Sequence, residues 1–305
     1  MRYAPEPSVS VVIPTVGRAA LAVAVESALA QSYPVAEVIV CVDSSAAVSQ
    51  LLPDDSRIRT IRVGPGAGGN VARQAGIEAA TSDLIALLDD DDMWSAEKIS
   101  TQVGLAAERR VCGTEWLATS RLVARFRTAE EIWPRDLLKP GERIGEYVLR
   151  KHRPKGGQGF VQASTLLFPR ELAIRIPFDP ELRFHQDVDW LLSVDQQTPD
   201  LTVVQCEEAL TTYNIGGASV SGGAGIDPAA SVAWAVRRIS EDKRSLGDFI
   251  LTTSVIYAAR RGSLTEVVET IARGVRYGRP GFSAFSYAGY RMLTTAMERT
   301  FRRRR

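Results

Sequence analysis

The 305-residue chain is poor in the residues that build soft-metal and redox sites. It has only two histidines, His152 and His185, which excludes a histidine-rich metal centre. Its three cysteines lie in separate apolar stretches without the spacing of zinc ligands, so we interpret Cys41, Cys112 and Cys206 as core residues of a reducing compartment. Lys and Arg number 37 against 36 Asp and Glu, and this balance predicts no general affinity for nucleic acid.

Long apolar runs are also missing from the chain. No stretch approaches the roughly 18 consecutive apolar residues of a membrane span, so we expect no transmembrane helix. The first ten residues, MRYAPEPSVS, lack the apolar core of a signal peptide. These features, together with the unpaired cysteines, predict a cytoplasmic protein.

The first 110 residues alternate between apolar runs and helical patterns. The runs typical of buried strands are Ser8–Pro14, Glu37–Asp43, Ile58–Val63 and Leu84–Leu88. Helical periodicity covers Gly17–Gln31, Gly68–Ala80 and Ser95–Arg109, the last with Ser95 as its expected N-cap. Strands that alternate with helices predict an α/β fold with a mostly parallel, Rossmann-like sheet flanked by helices.

Beyond Val111 the pattern is less regular. We expect strands at Leu122–Phe126, Ala163–Phe168 and Thr202–Ala209, and a helix at His185–Gln197. Two glycine-containing stretches are predicted as a mobile basic loop and a linker or flap, Arg150–Gly159 and Gly216–Gly225. The remainder is predicted to be helical over Ala229–Lys243, Asp248–Arg261, Leu264–Tyr277 and from about Phe282 onward. The chain therefore divides into three predicted segments, 1–110, 111–225 and 226–305.

Four consecutive carboxylates, Asp89–Asp92, follow the fourth apolar run. Like charges repel each other, and each desolvated carboxylate needs a positive partner. One interpretation is a solvated acidic loop, and the other is a site for a hard divalent cation, which takes carboxylate oxygens. Thr15 and Asp43 end two other predicted strands, and ligands of parallel sheets bind at such strand ends. This convergence favours the cation site.

The stretch Gly64–Gly69 fits the G-x-G-x-x-G fingerprint of NAD-binding proteins, because it follows a strand and precedes a helix. The fingerprint normally follows the first strand of such a fold, whereas here it follows the third. An NAD site would also use only one carboxylate and leave Asp90–Asp92 unexplained. We therefore keep an NAD-binding Rossmann protein only as an alternative.

Four segments in this order, VSVVIPTVGR, EVIVCVD, GGNVARQAGIEAATSDLIALLDDDDMW and HQDVDWLL, together resemble the family 2 glycosyltransferases of GT-A fold, over residues 8–215. The resemblance implies transfer of a sugar from a UDP-, dTDP- or GDP-linked donor to an acceptor hydroxyl, with inversion and with Mn²⁺ or Mg²⁺ as cofactor. The acceptor expected is a glycan, a lipid-linked sugar or a natural product. Residues 1–110 then form the nucleotide-sugar half, 111–225 the acceptor half, and 226–305 a helical C-terminal extension.

The resemblance also implies roles for individual residues. It places Asp91 on the metal, Asp89 on the metal or the ribose, and Asp187 as the base that takes the proton of the acceptor hydroxyl. Asp189 is a second candidate base, but at spacing i, i+2 it points in another direction on the same helix. The residues expected at the nucleotide are Pro14, Thr15, Asp43, Asn70, Arg73, Asp89 and Asp90, with Asp43 on the base.

Two further functions stay open as alternatives. A nucleotidyltransferase that forms nucleotide sugars would show a glycine-rich phosphate loop after the first strand, where this chain has only Gly17. A sugar-nucleotide-binding protein without catalysis would keep the fold, but Asp89, Asp91 and Asp187 argue against it.

The C-terminal region is basic. Residues 237–305 hold fifteen Arg and Lys against six Asp and Glu. Apolar side chains recur on one side of the last predicted helix, at Tyr290, Leu293, Met297 and Phe301, before the terminal Arg302–Arg305. Such a helix can lie on an anionic membrane surface. The alternative, which we favour from the sequence, is that its apolar stripe packs on the catalytic domain.

Overall fold

A computed structural model describes residues 6–215 and 225–303 of the chain. These residues form two compact units, one of residues 6–137 and 161–215 and the other of residues 138–160 and 225–303. The predicted linker Gly216–Gly225 lies, except for its last residue, outside the described residues. The predicted segments 1–110, 111–225 and 226–305 were assigned by function, whereas these two units are defined by packing. The functional division therefore stays a prediction.

The first unit is built on a mixed sheet. Its strands in the described chain are β1 Val9–Thr15, β2 Glu37–Val42, β3 Ile58–Arg62, β4 Leu84–Leu87, β5 Met93–Trp94, β6 Trp116–Arg125, β7 Glu130–Trp133, β8 Leu167–Pro169 and β9 Thr202–Asn214. They lie in the order β3-β2-β1-β4-β8-β6-β9-β5, with β7 on β6. The run from β3 to β4 is parallel, as predicted. From β8 onward the pairing is antiparallel except between β6 and β9.

Helices cover this sheet at α1 Leu21–Leu29, α2 Gly69–Ala79, α3 Lys98–Glu108, α5 Arg170–Arg175 and α6 Gln186–Gln197. The predicted α/β fold with flanking helices is confirmed. Strand β1 is buried on both faces, and this explains its unbroken run of β-branched residues. One face of β1 packs with α1 in a core cluster that includes Val9, Val11, Ile13, Leu21 and Val25.

Several predicted elements begin at other places in the structure. Helix α1 begins at Leu21 and not at Gly17, strand β6 at Trp116 and not at Leu122, and the helix predicted from Asp248 at Lys243. The prediction of Ser95 as a helix N-cap is wrong, since α3 begins at Lys98. The preceding residues are drawn into the sheet as β5, which pairs with β9, and the Ser95 amide donates to Leu210 O at 3.0 Å. The predicted strand Ala163–Phe168 starts instead as a 3₁₀ turn over Ala163–Thr165.

The second unit is helical, with α4 Ile144–Leu149, α7 Pro228–Arg238, α8 Lys243–Phe249, α9 Val255–Arg260, α10 Leu264–Tyr277 and α11 Phe282–Arg303. A π-helical stretch, Ile250–Ser254, joins α8 to α9. Helix α10 has the predicted bounds because Ser263 caps it and accepts from the Glu266 amide at 3.2 Å. The predicted helical C-terminal extension is confirmed.

The predicted basic loop Arg150–Gly159 is tied at its start into this second unit. Arg150 pairs with Glu146 and with Asp242, each at 2.8 Å. The side chain of Lys151 is buried. Among the described residues, none of the helices combines the length and the hydropathy that a membrane crossing requires.

Candidate functional site

The acidic stretch leaves β4 beside the carboxyl end of β1, as the parallel pairing of these strands dictates. Thr15 Oγ1 donates to Asp90 Oδ2 at 2.5 Å and accepts from the Gly17 amide at 2.9 Å. Arg18 Nη1 donates to Asp90 Oδ1 at 2.6 Å. Burial raises the pKa of Asp90, and Thr15 and Arg18 counter part of that increase. Asp90 thus holds Thr15 and Arg18 in place from inside the protein.

Asp92 turns the other way, toward the 3₁₀ turn. Its Oδ2 accepts from Gln162 Nε2 at 2.9 Å and from Ser164 Oγ at 2.6 Å. Its Oδ1 faces the Asn214 amide at 3.4 Å. Burial raises the pKa of Asp92 well above its usual range. Ser164 Oγ also accepts from the Asp89 amide at 2.9 Å, so one short turn fixes both ends of the acidic stretch.

Arg73, on α2, joins the acidic stretch to α6. Its Nη2 donates to Asp89 Oδ1 at 2.6 Å and its Nη1 to Gln186 Oε1 at 2.9 Å. Burial lowers the pKa of Arg73, but the carboxylates of Asp89 and Asp187 outweigh burial and raise it above the ordinary value. The second oxygen of Asp89 accepts from Gln162 Nε2 at 2.9 Å. Both oxygens of Asp89 are therefore engaged by protein side chains.

Asp91 lies farther from its arginine partner than Asp89 and Asp90 lie from theirs. Arg18 Nη1 lies 3.4 Å from its Oδ2, and 22% of the Asp91 side chain is exposed. Burial, and next the charge of Asp89, raise the pKa of Asp91 to about 6. The Asp91 carbonyl accepts from Asn214 Nδ2 at 2.6 Å, which fixes the backbone of the loop.

The donor set around Asp91 bears on the expected metal. Among residues 6–215 and 225–303, no three His, Cys, Asp or Glu side chains converge into a ready-made metal cage. A hard cation of the Mg²⁺ type does not need such a cage, because it is commonly held by one or two carboxylates together with substrate phosphates and water. Asp91 fits that role, since it is partly exposed and is paired with a positive charge.

Helix α6 carries the predicted base at its first turn. Asp187 Oδ2 accepts from the Ala163 amide at 3.1 Å. Burial raises the pKa of Asp187 above its usual range, although Arg73 lowers it. His185 caps the helix in a left-handed conformation without a side-chain capping bond, and burial lowers its pKa to about 3, so its imidazole is neutral. The second candidate base, Asp189, is buried.

The glycine-rich loop packs on Asp43 at the end of β2. Asp43 Oδ1 accepts from the Ala67 amide at 2.7 Å, and Oδ2 from the Gly68 amide at 2.6 Å. A Cβ at Gly64 would lie 1.8 Å from Asp43 Oδ1, so only glycine permits this approach. The packing of this loop therefore explains the NAD-like glycine spacing. The loop follows the edge strand β3, whereas the NAD-binding loop of a Rossmann fold follows the central strand β1.

The remaining predicted residues lie near the same end of the sheet. Pro14 and Thr15 end β1. Asn70, in the first turn of α2, donates from Nδ2 to the Asp179 carbonyl at 2.7 Å, while its buried Oδ1 has no hydrogen-bond partner among the described residues. The structure thus brings the predicted residues together at one edge of the sheet. Asn70 is held there by its hydrogen bond to the Asp179 carbonyl.

Sequence reasoning missed four residues that shape the site. Arg18 directly follows β1, so a cation beside four acids could have been inferred from the sequence. Gln162, Ser164 and Asn214 contact the acidic stretch from 70 or more positions along the chain. They follow no local pattern, and no signal in the sequence marks them.

Comparison with known proteins identifies the family. The model of glycosyl transferase family 2 matches residues 10–176, which is more than half of the chain. The chain belongs to glycosyl transferase family 2. This membership accounts for the convergence of acids, arginine and α6 at one sheet edge, and it displaces the NAD-binding alternative.

Two curated relatives are similar over part of this family 2 chain. The amylovoran biosynthesis glycosyltransferase AmsB of Erwinia amylovora is 29% identical over 175 residues, covering 54% of this chain and 56% of the relative. The UDP-Glc:alpha-D-GlcNAc-diphosphoundecaprenol beta-1,3-glucosyltransferase WfaP of Escherichia coli is 38% identical over 90 residues, covering 28% and 36%. The chain thus spans only about half, or less, of the length of these relatives.

Solved structures share the fold at low identity. The crystal structure of S. aureus TarS 1-349 with UDP-GlcNAc has a TM-score of 0.55 at 13% identity, covering 89% of this chain and 74% of that one. The mannosyltransferase PcManGT of Pyrobaculum calidifontis with GDP-Man and Mn²⁺ has a TM-score of 0.52 at 15% identity, covering 96% and 74%. These similarities confirm the GT-A type of fold.

Proposed function

We propose that this family 2 glycosyltransferase is an inverting, metal-dependent hexosyltransferase that moves a sugar from a UDP-, dTDP- or GDP-linked donor to a hydroxyl of a lipid-linked acceptor. The observation that carries the proposal is the position of Arg73. It contacts Asp89 of the acidic stretch at 2.6 Å and Gln186, the neighbour of Asp187, at 2.9 Å. One buried cation thus joins the proposed donor-binding acids to the proposed base.

On the donor side, the proposal places the nucleoside beside Pro14, Thr15 and Asp43, with Asp43 as acceptor for the base. Each oxygen of the Asp43 carboxylate accepts one loop amide and retains capacity for a further donor. The sugar-diphosphate lies toward Arg73 and the acidic stretch. Asp89, held by Arg73 and Gln162, is then a ligand for the ribose or the metal, since each of its oxygens accepts one donor and retains capacity for a further contact.

On the metal side, Asp91 would hold Mn²⁺ or Mg²⁺, which when bound supplies Lewis-acid stabilisation to the leaving diphosphate. Arg18 already places one positive charge beside Asp90 and Asp91. The repulsion among the four carboxylates is thus offset by Arg18 and Arg73, and Asp91 keeps an exposed carboxylate for the cation.

The displacement itself needs a base on the face of the sugar opposite the diphosphate. The acceptor oxygen bonds to the anomeric carbon, the bond from that carbon to the diphosphate oxygen breaks, and the hydroxyl proton passes to Asp187. A carboxylate with a raised pKa suits this step, because general-base assistance of about 10²–10⁴-fold is greatest when the pKa lies near the working pH.

One observation supports the lipid-linked acceptor, and another supports the cytoplasmic location. The name of WfaP describes transfer from UDP-Glc to a diphosphoundecaprenol-linked sugar. Cys41, Cys112 and Cys206 are all unpaired, which fits a reducing compartment. Cys41 and Cys206 are buried, whereas Cys112 is exposed, so the interpretation of Cys112 as a core residue is wrong.

A thermal-shift panel tests the proposal. UDP-, dTDP- and GDP-linked sugars are added with and without Mn²⁺, and we expect one base to raise the melting temperature, more strongly with the metal, because ligands stabilise the state that they bind. NAD(P) serves as the control and should give no shift. Product analysis by NMR then gives the anomeric configuration. A Mn²⁺-independent shift would contradict the metal role, and retention of configuration would contradict the role of Asp187.

A further inference from the structure

The outward side of α11 is its apolar side. Five large side chains of this helix are exposed, namely Phe282 83%, Phe285 42%, Tyr290 60%, Leu293 62% and Met297 59%. The buried residues on the side packed into the second unit are small or polar, namely Ala284, Ala288 and Thr295, and Met292 packs partly buried against the core of the unit. A helix on the surface of a globular unit normally shows the reverse arrangement. The sequence-based expectation that this stripe packs inward is therefore wrong.

The outward stripe is part of a wider concentration of exposed apolar side chains. Of the twelve large apolar side chains exposed in the described residues, eight lie between residues 264 and 297. They include Val268 and Val275 of α10, each 50% exposed. Single exposed apolar residues are common on protein surfaces, but a group of this size marks an interaction surface.

Polar contacts with the rest of the second unit fix the rotation of α11. The Gly281 amide donates to Asp248 Oδ1 at 2.7 Å, and the Asp248 side chain is completely buried. Ser283 Oγ donates to the His152 carbonyl at 2.9 Å. Lys151 Nζ lies 4.8 Å from the centre of the Tyr287 ring. Turning the apolar stripe inward would break these contacts, so its exposure follows from the packing of the unit.

The net charge of the C-terminal region indicates which kind of partner the stripe contacts. Between Phe282 and Met297 the only charged residue is Arg291, which lies on the opposite side of the helix at 100° per residue. Residues 237–305 as a whole carry nine more basic than acidic residues. A second copy of the chain would bring two such positive regions together, which costs electrostatic free energy. An anionic bilayer offers the complementary charge together with an apolar layer.

We infer that α11 docks this protein on an anionic membrane surface, with Phe282, Tyr290, Leu293 and Met297 inserted at the boundary between head groups and acyl chains. The helix then lies in the plane of the interface, and the excess positive charge of residues 237–305 draws it to the lipid phosphates. The inference deepens the proposed function, on which its biological purpose rests, since a lipid-linked acceptor is presented at such a surface. The docking itself depends only on α11 and its surroundings.

Co-sedimentation with vesicles tests this docking. One set of vesicles contains equal parts of phosphatidylglycerol and phosphatidylcholine, and the other contains phosphatidylcholine alone. The test variant is F282S/Y290S/L293S/M297S, whose exposed positions permit the change without loss of the fold, as checked by circular dichroism and thermal melting. A matched control, V23S/I132S/I174S, removes apolar side chains that are 43–56% exposed in the first unit.

The wild type and the control should bind the anionic vesicles at low salt, and added salt should weaken this binding. The stripe variant should bind at least about tenfold more weakly, because inserted apolar area supplies much of the affinity of interfacial helices. Equal binding by the stripe variant and the wild type would overturn the inference. So would failure of the wild type to sediment at low salt, or a dimer in analytical ultracentrifugation that the stripe variant abolishes without any vesicle binding.

The same variants separate this inference from the proposed function. The stripe variant should keep the donor-induced thermal shift of the wild type, because its substitutions lie outside the donor-binding residues. A protein that binds anionic vesicles but no nucleotide sugar would refute the proposed function and leave the docking surface intact. A protein that binds nucleotide sugars but no vesicles would refute the docking alone.

Discussion

Arg18→Gln is the substitution that most directly probes how the acidic stretch is balanced. Arg18 Nη1 lies 2.6 Å from Asp90 and 3.4 Å from Asp91, and the Asp90 side chain is 3% exposed. Removing one partner of a buried ion pair costs about 3–5 kcal/mol. Because Arg18 itself is partly exposed and Thr15 still donates to Asp90, we expect a smaller loss in the free energy of unfolding, roughly 2–3 kcal/mol.

The same substitution should strengthen metal binding. A unit charge 3.4 Å from Asp91 interacts with it by about 1–5 kcal/mol at effective dielectric constants of 80 to 20. Removing this competing cation should tighten the binding of Mn²⁺ alone about tenfold, which corresponds to the weak end of that estimate. The expected phenotype is therefore a less stable metal-free protein whose melting temperature rises more steeply with Mn²⁺ than that of the wild type.

Thermal melting and calorimetric titration with Mn²⁺ measure the two effects. Arg59→Gln is the matched control, because Arg59 pairs with Glu37 at 3.1 Å but is 47% exposed, and such surface pairs contribute about 0–1 kcal/mol. The prediction is wrong if the melting temperature of Arg18→Gln equals that of the control, or if its affinity for Mn²⁺ is equal to or weaker than that of the wild type. In that case Arg18 does not compensate the charge of the acidic stretch.

Four further predictions concern metal binding, stability and the base. Asp91→Asn should remove the Mn²⁺ dependence of nucleotide diphosphate binding in calorimetry while the protein stays folded, and unchanged metal dependence would refute the assignment. In the wild type, Mn²⁺ affinity should fall as the pH drops below about 6, because protons compete for Asp91. Since the folded-state pKa of Asp91 is raised, its contribution to metal-free stability is present at low pH and is lost as the pH rises through about 6, and melting curves with EDTA measure this trend. Asp187→Asn should lower kcat by about 10²-fold or more with little change in donor affinity; a large loss in Asp189→Asn instead would show that the other carboxylate is the base.

Local patterns in the sequence were enough to predict the elements that hold the site. The parallel strands β1, β2 and β4 are buried on both faces, so their apolar runs stand out without reference to the rest of the chain. Helix α10 was predicted at its observed bounds, Leu264–Tyr277, and the structure adds the Ser263 cap, which accepts from the Glu266 amide. The order of these elements placed Thr15, Asp43 and the acidic stretch at one edge of the sheet, since parallel strands end together.

Other features depend on residues far apart in the chain, and no local pattern could predict them. Residues before α3 became strand β5 because β9 offers hydrogen-bond partners. Asp90 and Asp92 face opposite ways, since one meets Arg18 near the first strand and the other meets Gln162 and Ser164 from the 3₁₀ turn. Asp90 and Asp92 are buried while Asp89 and Asp91 stay partly exposed, and these neighbours decide that division, not the order of the acids.

In α11, too, some features follow from the sequence and others only from the tertiary structure. The sequence alone determined that a helix begins near Phe282 and that its apolar residues share one side, because both follow from the 3.6-residue period. Which side faces out depends on where the helix is held. The contacts of Gly281 with buried Asp248 and of Ser283 with the His152 carbonyl exist only in the folded unit, and they turn the apolar side outward.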